Sequence, residues 1–205
     1  MRKINRSAPL EEFSALISGN DCPANWDEFT KAYHDLYRQV RNRLLADQEN
    51  MSGYTEIPLE ANGDIHIDHY KKKGMFPSLT FAWNNFIVDE KNNPYYGAGF
   101  KDDNVHQPDY AKIINPIIEQ PSEYLTYVED GTIIARRDLT DAAMRDKAEF
   151  TIYIFNLNHP SLRKSRGDIL STIRACQNGM MEKKDVEDAL APCGFKSLID
   201  FAYQD

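Results

Sequence analysis

Residues 66–86 of the chain, HIDHYKKKGMFPSLTFAWNNF, contain the pattern that decides the fold. From Ile65 to Tyr70 apolar and polar residues alternate, which is typical of a short β-strand. Asp68 and His69 are adjacent near the end of that strand. The apolar and aromatic residues over 79–83 predict a second strand. The centre of the chain is therefore predicted to contain a small sheet.

Helical periodicity dominates the regions on both sides of this centre. A capping residue, Asn25, precedes a run of apolar residues at three- and four-residue spacing, which predicts a helix ending near Gln48. Further helices are predicted over 141–155, 162–177, 185–191 and 197–202, with a hairpin turn at Asp130-Gly131 and a long loop over 92–108. The fold class is α+β, a helix-rich chain in three segments that together form one compact domain: an N-terminal arm and helix (1–48), a central core (49–110), and a C-terminal hairpin and helical region (111–205).

Charge and composition limit the classes of function. The net charge is −8, whereas proteins that bind nucleic acid by themselves usually carry a basic surface. Either basic residues cluster on one face, or a partner supplies much of the binding. The three cysteines are far apart and form no Cys-x-x-Cys pair, which is typical of a reducing cytoplasm. No apolar run of about eighteen residues predicts a membrane span, and no secretory signal is predicted.

Asp68 and His69 are the residues with the clearest chemical potential. A carboxylate suits Mg²⁺ or Mn²⁺, and an imidazole beside the metal can take a proton from water. Phosphodiester hydrolysis requires both parts. On the dipeptide alone, however, an ordinary surface or core histidine is the more common interpretation.

Basic residues adjoin the pair. Lys71, Lys72 and Lys73 could contact the phosphates that flank a scissile bond, or could form a solvated turn. His66 shares a strand face with Asp68, so it either lines the same site or simply makes a hydrogen bond.

The segment resembles the HNH nuclease family, and most closely the branch of PtuB-like nuclease subunits of Septu-type anti-phage systems, which also occur beside some retrons. That branch begins with His-x-Asp/Glu-His-Phe-x-Pro-Lys and continues with Pro-x-Leu-x-Phe-x-Trp-x-Asn-Leu. Tyr70 and Lys72 depart from this pattern. The matching positions after the His-x-Asp-His start are Lys73, Pro77, Leu79, Phe81, Trp83 and Asn85.

The resemblance covers about three-quarters of the chain. Upstream it includes Trp26 and the Leu-x-x-x-Gln pattern that ends at Gln48. The downstream positions that follow the family's order are Ile114, Asn115, Pro116, Glu119, Pro121, Glu123, Tyr124, Gly131, Thr151, Ile152, Leu157, Asn158 and Arg166.

This resemblance implies a ββα-metal core with a role for each site residue. Asp68 would be a ligand of Mg²⁺ or Mn²⁺, His69 the general base, and Asn85 the residue that holds the loop and aims the His69 ring. A helix would follow 84–88 and supply the second ligand. Asn93 is the first choice for that ligand, with Asn92 and His106 behind it.

The sequence also departs from the family. Two Cys-x-x-Cys pairs that usually bind a structural zinc are replaced by Ser52-Gly53-Tyr54-Thr55 and Glu90-Lys91-Asn92-Asn93. Because all four thiolates are missing together, we expect no structural zinc, with packing or polar contacts in its place.

The resemblance implies a cytoplasmic endonuclease that cleaves DNA within a hetero-oligomeric defence complex. Its partner would be a PtuA-like ATPase of the SMC/ABC type, and the acidic net charge is consistent with dependence on a partner. Three alternatives remain: an effector of the same complex that cleaves RNA or tRNA, a non-catalytic adaptor derived from a nuclease, and a metal-binding regulator that cleaves no nucleic acid.

Overall fold

A computed structural model describes residues 1–204, and Asp205, the last residue of the third predicted segment, lies outside it. The α+β class is confirmed. The helices are α1 (Glu11–Ser18), α2 (Trp26–Ala32), α3 (His34–Asp47), α4 (Gly97–Asn104), α5 (Ala142–Ile154), α6 (Pro160–Asn178), α7 (Lys183–Leu190) and α8 (Lys196–Ala202). The strands are β1 (Ile65–His69), β2 (Phe86–Glu90), β3 (Leu125–Tyr127) and β4 (Ile133–Ala135).

The central sheet contains β1 and β2 in antiparallel register, with Asp68 opposite Ile87 and His69 opposite Phe86. The prediction of a strand over 79–83 was wrong. Residues 77–79 and 83–85 form short 3-10 turns, and the next strand begins only at Phe86. Phe86-Ile87-Val88 is aromatic and β-branched, so these residues fit a sheet buried on both faces.

The prediction of a long loop over 92–108 was also wrong, because α4 lies within it. Glycines allow this helix to approach the end of β2 closely. A side chain at Gly99 would place its Cβ 2.1 Å from the carbonyl oxygen of Asn93. The helical pattern was hidden in the sequence because small and polar residues make up most of α4.

The N-terminal helix is interrupted at Tyr33, whose backbone is not helical, so α2 and α3 replace the single predicted helix. The predicted cap is confirmed, since the side chain of Asn25 accepts a hydrogen bond from the backbone N–H of Glu28 at 2.9 Å. The interruption redirects the chain, and both helices pack into one cluster of buried residues with β1 and β2.

Separate apolar clusters cover the two faces of the central sheet. One joins α1, α2 and α3 to Ile67, Phe86 and Val88. The other contains Ile87 together with residues from the N-terminal arm, α4 and α5. The central sheet is therefore covered on both sides. A separate cluster packs α6 against α7 and α8.

The C-terminal half matches its predictions more closely. The Asp130-Gly131 turn joins β3 and β4, whose register pairs Thr126 with Ile134. The predicted helices correspond to α5, α6, α7 and α8 with ends shifted by a few residues. Within residues 1–204, no helix combines the length and apolar character that crossing a bilayer requires.

Candidate active site

The side chains of Asp68 and His69 leave β1 on opposite faces of the sheet. Asp68 lies on the face that α4 covers, where its carboxylate contacts Lys101. The His69 ring lies on the other face, 4.5 Å from the ring of Trp26 between centroids. Because both residues are within the regular strand, side-chain alternation separates them. The structure therefore does not bring the predicted metal ligand and general base to one site.

His69 is enclosed by aromatic residues. Its ring contacts Trp26 and Phe86 edge to face, and the residue is only 5% exposed. Nε2 lies 2.9 Å from the carbonyl oxygen of Thr80, so this nitrogen carries the proton in the neutral ring. Burial lowers the pKa of His69, while the Thr80 hydrogen bond opposes that shift. His69 is therefore a neutral histidine that is hydrogen-bonded to the loop between β1 and β2.

Asp68 is satisfied by protein groups. Its Oδ2 accepts hydrogen bonds from the hydroxyl of Tyr54 at 2.5 Å and from the ammonium of Lys101 at 2.6 Å. Burial alone would raise the pKa of Asp68, but the Lys101 charge and the hydrogen bonds from Lys101 and Tyr54 together hold the pKa below its usual value. Likewise, burial opposes the charged form of Lys101, yet Asp68 and Asp102 raise its pKa. The two groups form a buried ion pair.

The proposed metal ligands do not converge. Asn93 lies beyond the end of β2, where its Nδ2 donates to Glu90 at 2.6 Å and its Oδ1 accepts from the N–H of Tyr95. Glu90 pairs with Ile65, three strand positions from Asp68 and about 10 Å along the strand. Asn93 and Asp68 are therefore too far apart to bind the same metal ion.

The two reserve candidates for that ligand also lie elsewhere. Asn92 occupies a left-handed turn with φ of 61° and is exposed. The backbone N–H of His106 donates to Asp109 at the start of a 3-10 helix. Neither residue is hydrogen-bonded to Asp68.

The side chains of Asp68 and Asn93 do not form a site that fits a divalent cation. A cation at Asp68 would have to share the carboxylate with an ammonium 2.6 Å away. Among residues 1–204, no three His, Cys, Asp or Glu side chains are arranged to hold a metal ion. The expectation of Mg²⁺ or Mn²⁺ bound between Asp68 and Asn93 is therefore not supported by the geometry.

Asn85 clamps the loop between β1 and β2. Its Oδ1 accepts from the N–H of Lys71 at 2.7 Å, and its Nδ2 donates to the carbonyls of Lys71 and Leu79 at 3.0 and 3.2 Å. These bonds join both ends of the loop that carries Thr80. Asn85 thus holds the loop through both its amide oxygen and its amide nitrogen.

The three lysines have different environments. The ammonium of Lys71 lies 5.3 Å from the centre of the Phe76 ring, and that of Lys72 donates to the carbonyl of Asp102 at 2.9 Å. Lys73 is exposed. Intramolecular contacts therefore occupy two of the ammonium groups that were predicted to bind phosphate.

His66 faces the α4 side of the sheet, as Asp68 does. Its Nδ1 is buried and has no hydrogen-bond partner among the described residues. Burial lowers the pKa of His66, so the ring is neutral at pH 7.

The start of α4 is fixed by Asp89, a residue that sequence reasoning missed. The Oδ2 atom of Asp89 accepts a hydrogen bond from the backbone N–H of Ala98 at 2.7 Å. Gly97 has a φ of 70°, and a Cβ there would lie 2.4 Å from this oxygen. Glycine is thus required for the carboxylate to reach the helix N-terminus.

The positions of the four missing cysteines carry polar contacts. Ser52 Oγ accepts the backbone N–H groups of Tyr54 and Thr55, and Glu90 accepts from Asn93. Ser52 and Thr55 are both buried. Local hydrogen bonds therefore stabilise the turns at these positions.

Lys101 is the most important residue that sequence reasoning did not find. It is fully buried, although the segment around it was predicted to be a loop. The Gly97-Ala98-Gly99 run could have indicated a helix that starts close to the sheet. No local pattern distinguishes Lys101 from a surface lysine, because its partner is 33 residues away.

Comparisons with known proteins add no assignment: no protein-family model matches this chain, and the curated proteins gave no match either.

Proposed function

We propose that this chain is a non-catalytic subunit built on an HNH-like ββα frame, which acts by binding an SMC/ABC-type ATPase in an anti-phage complex. The opposite orientation of Asp68 and His69 carries the proposal. Hydrolysis would require a carboxylate-bound cation and a water next to the imidazole at one phosphate. Here the two side chains lie on different faces, at 4% and 5% exposure.

The charge distribution supports a binding role in place of independent action on nucleic acid. The net charge is −8, and Lys71 and Lys72 interact within the chain. Affinity for DNA depends on free basic groups that displace counterions. The identity of the ATPase partner rests on the resemblance of residues 66–86 and the flanking positions to PtuB-like proteins.

A second candidate is the HNH endonuclease itself, acting on DNA, or on RNA or tRNA, under control of the same ATPase. One observation favours it: Asn85 holds the loop whose Thr80 carbonyl fixes the His69 ring. A loop that orients an imidazole is what a general base requires. Cleavage would need Asp68 to be released from Lys101 and the His69 ring to reach solvent.

His69→Gln distinguishes the two candidates. A glutamine amide can still donate to the Thr80 carbonyl, but it cannot act as a general base. The variant and the wild-type chain would each be reconstituted with the ATPase of a Septu-type system. Complex formation would be followed by size-exclusion chromatography, and plasmid and tRNA cleavage by gel electrophoresis with Mg²⁺ or Mn²⁺.

We expect wild-type and His69→Gln chains to bind the ATPase equally and to cleave neither substrate in any metal-dependent manner. A cleavage activity of the complex that falls by about 100-fold or more in His69→Gln would establish the endonuclease instead. Failure of both chains to bind the ATPase would contradict the partner assignment. Thermal melting of the isolated chains controls for loss of folding.

A further inference from the structure

A positively charged side chain of the protein, Lys101, lies between β1 and α4. We infer that the Lys101 ammonium takes the place of a metal ion between sheet and helix, and that Asp68 binds no divalent cation in the folded chain. This inference goes beyond the proposed function, because it concerns a property of the isolated chain and requires neither partner nor nucleic acid.

Oxygen atoms surround the ammonium as they would surround a hard cation. Lys101 Nζ lies 2.6 Å from Asp68 Oδ2 and 3.0 Å from the backbone carbonyl of His69. Asp102 Oδ1 lies 3.2 Å away and the carbonyl of Tyr70 3.5 Å away. Carboxylates and carbonyls are also the ligands that Mg²⁺ and Ca²⁺ prefer. The oxygen cage is thus already occupied by a group of the protein.

The second partner of Asp68 strengthens this arrangement. The Tyr54 hydroxyl donates to the same Oδ2 atom, and the Tyr54 ring lies 5.6 Å from the ammonium between Nζ and the ring centre. Tyr54, Asp68 and Lys101 are all nearly inaccessible to solvent. A divalent ion entering here would displace the hydroxyl and repel the ammonium in a region of low dielectric constant.

The helix cannot easily withdraw the lysine. Asp89 holds the N-terminus of α4 through Ala98, and Gly99 packs against the backbone at Asn93. Lys101 lies one turn further along the same helix. An ammonium removed from Asp68 without an exit to solvent would remain buried and unpaired, which is strongly unfavourable.

Manganese binding tests the inference on the purified full chain. Free Mn²⁺ would be quantified by electron paramagnetic resonance, and thermal melting would be followed with EDTA and with millimolar Mn²⁺. The variants are Lys101→Asn, Asp68→Asn and the double variant. Lys164→Asn is the matched control, since Lys164 forms an ion pair of the same 2.6 Å length with Asp168, but at the surface.

We expect no saturable Mn²⁺ binding by the wild-type chain and the same melting temperature in Mn²⁺ and EDTA. Lys101→Asn should melt roughly 10 °C lower in EDTA, because the Asp68 carboxylate is left buried without a counter-charge. Mn²⁺ should restore part of that loss, and the double variant should lose this response. Lys164→Asn should behave as wild type.

Saturable Mn²⁺ binding by the wild-type chain that disappears in Asp68→Asn would overturn the inference. So would a Lys101→Asn chain that melts no lower than the Lys164→Asn control. If Lys101→Asn does not fold, the double variant decides the matter: recovery of folding supports the buried pair, and continued failure contradicts it.

Discussion

The side-chain amide of Gln48 pairs with both backbone groups of Val88 on the outer edge of β2. Gln48 Nε2 donates to the Val88 carbonyl at 2.8 Å, and its Oε1 accepts from the Val88 N–H at 2.8 Å. This residue follows the end of α3, so it joins the N-terminal helices to the central sheet. Its amide is the partner of the buried Val88 N–H, and it shares the Val88 carbonyl with the N–H of Gly53.

Replacement of Gln48 by methionine should therefore destabilise the whole chain. The buried N–H of Val88 and the carbonyl of Met51 would lose the Gln48 amide as their partner, and the Val88 carbonyl would keep only the N–H of Gly53 at 3.3 Å. We expect a cost of about 2 to 4 kcal/mol in the free energy of unfolding. Urea unfolding followed by tryptophan fluorescence measures this value. Gln39→Met is the control, because Gln39 lies on the exposed face of α3. Equal stability of the two variants would show that the Gln48 amide is not a structural link.

Asn85→Ala should release the loop between β1 and β2. The variant loses the bonds to Lys71 and Leu79. The N–H and carbonyl of Lys71 are left without a partner, while the Leu79 carbonyl keeps the N–H of Ala82, so we expect the free energy of unfolding to fall by about 2 to 3 kcal/mol. Hydrogen exchange should increase for residues 71–85 more than for β1. Asn84→Ala serves as the control, since Asn84 is exposed. Unchanged exchange in the loop would argue against Asn85 as its clamp.

Asp89 should make the stability of the chain depend on pH. Burial raises the pKa of Asp89 from 3.8 to about 7, against the opposing hydrogen bonds from Ser52 and Ala98. The folded carboxyl binds its proton more tightly than the unfolded one, so its contribution is full below pH 3.8 and is lost as pH rises toward 7. The loss is at most about 4 kcal/mol.

Asp89→Asn should flatten this dependence, because the amide oxygen still accepts the Ala98 N–H and carries no charge at any pH. Urea unfolding at about pH 4.5 and about pH 8 measures the difference. The wild-type chain should lose more stability than Asp89→Asn across this interval. Asp64→Asn is the control, since Asp64 is exposed. If Asp89→Asn and the wild-type chain lose the same amount of stability between these two pH values, other groups cause the pH dependence.

Several local features followed directly from the sequence. The Asn25 cap, the Asp130-Gly131 hairpin and helices α5 to α8 were predicted because each depends on residues close together in the chain. The strand over Ile65–His69 was also predicted from its alternation. Those signals are short-range, so an isolated sequence contains them.

The sequence could not place the second strand or α4. Residues 79–83 have strand-like composition, yet backbone turns at 77–79 and 83–85 prevent pairing there. Helix α4 is rich in glycine and acidic residues, and packing against β2 outweighs its weak helical propensity. Tertiary contacts therefore decided both elements.

By itself, the sequence determined the α+β class and the β1 strand with its adjacent carboxylate and imidazole. Tertiary structure alone decided what the carboxylate and imidazole contact. Successive side chains of a strand lie on opposite faces of the sheet. Asp68 therefore contacts Lys101 of α4, while His69 contacts Trp26 of α2. Those partners are 33 and 43 residues away, and only the packing of helices on both sides of one sheet brings them to β1.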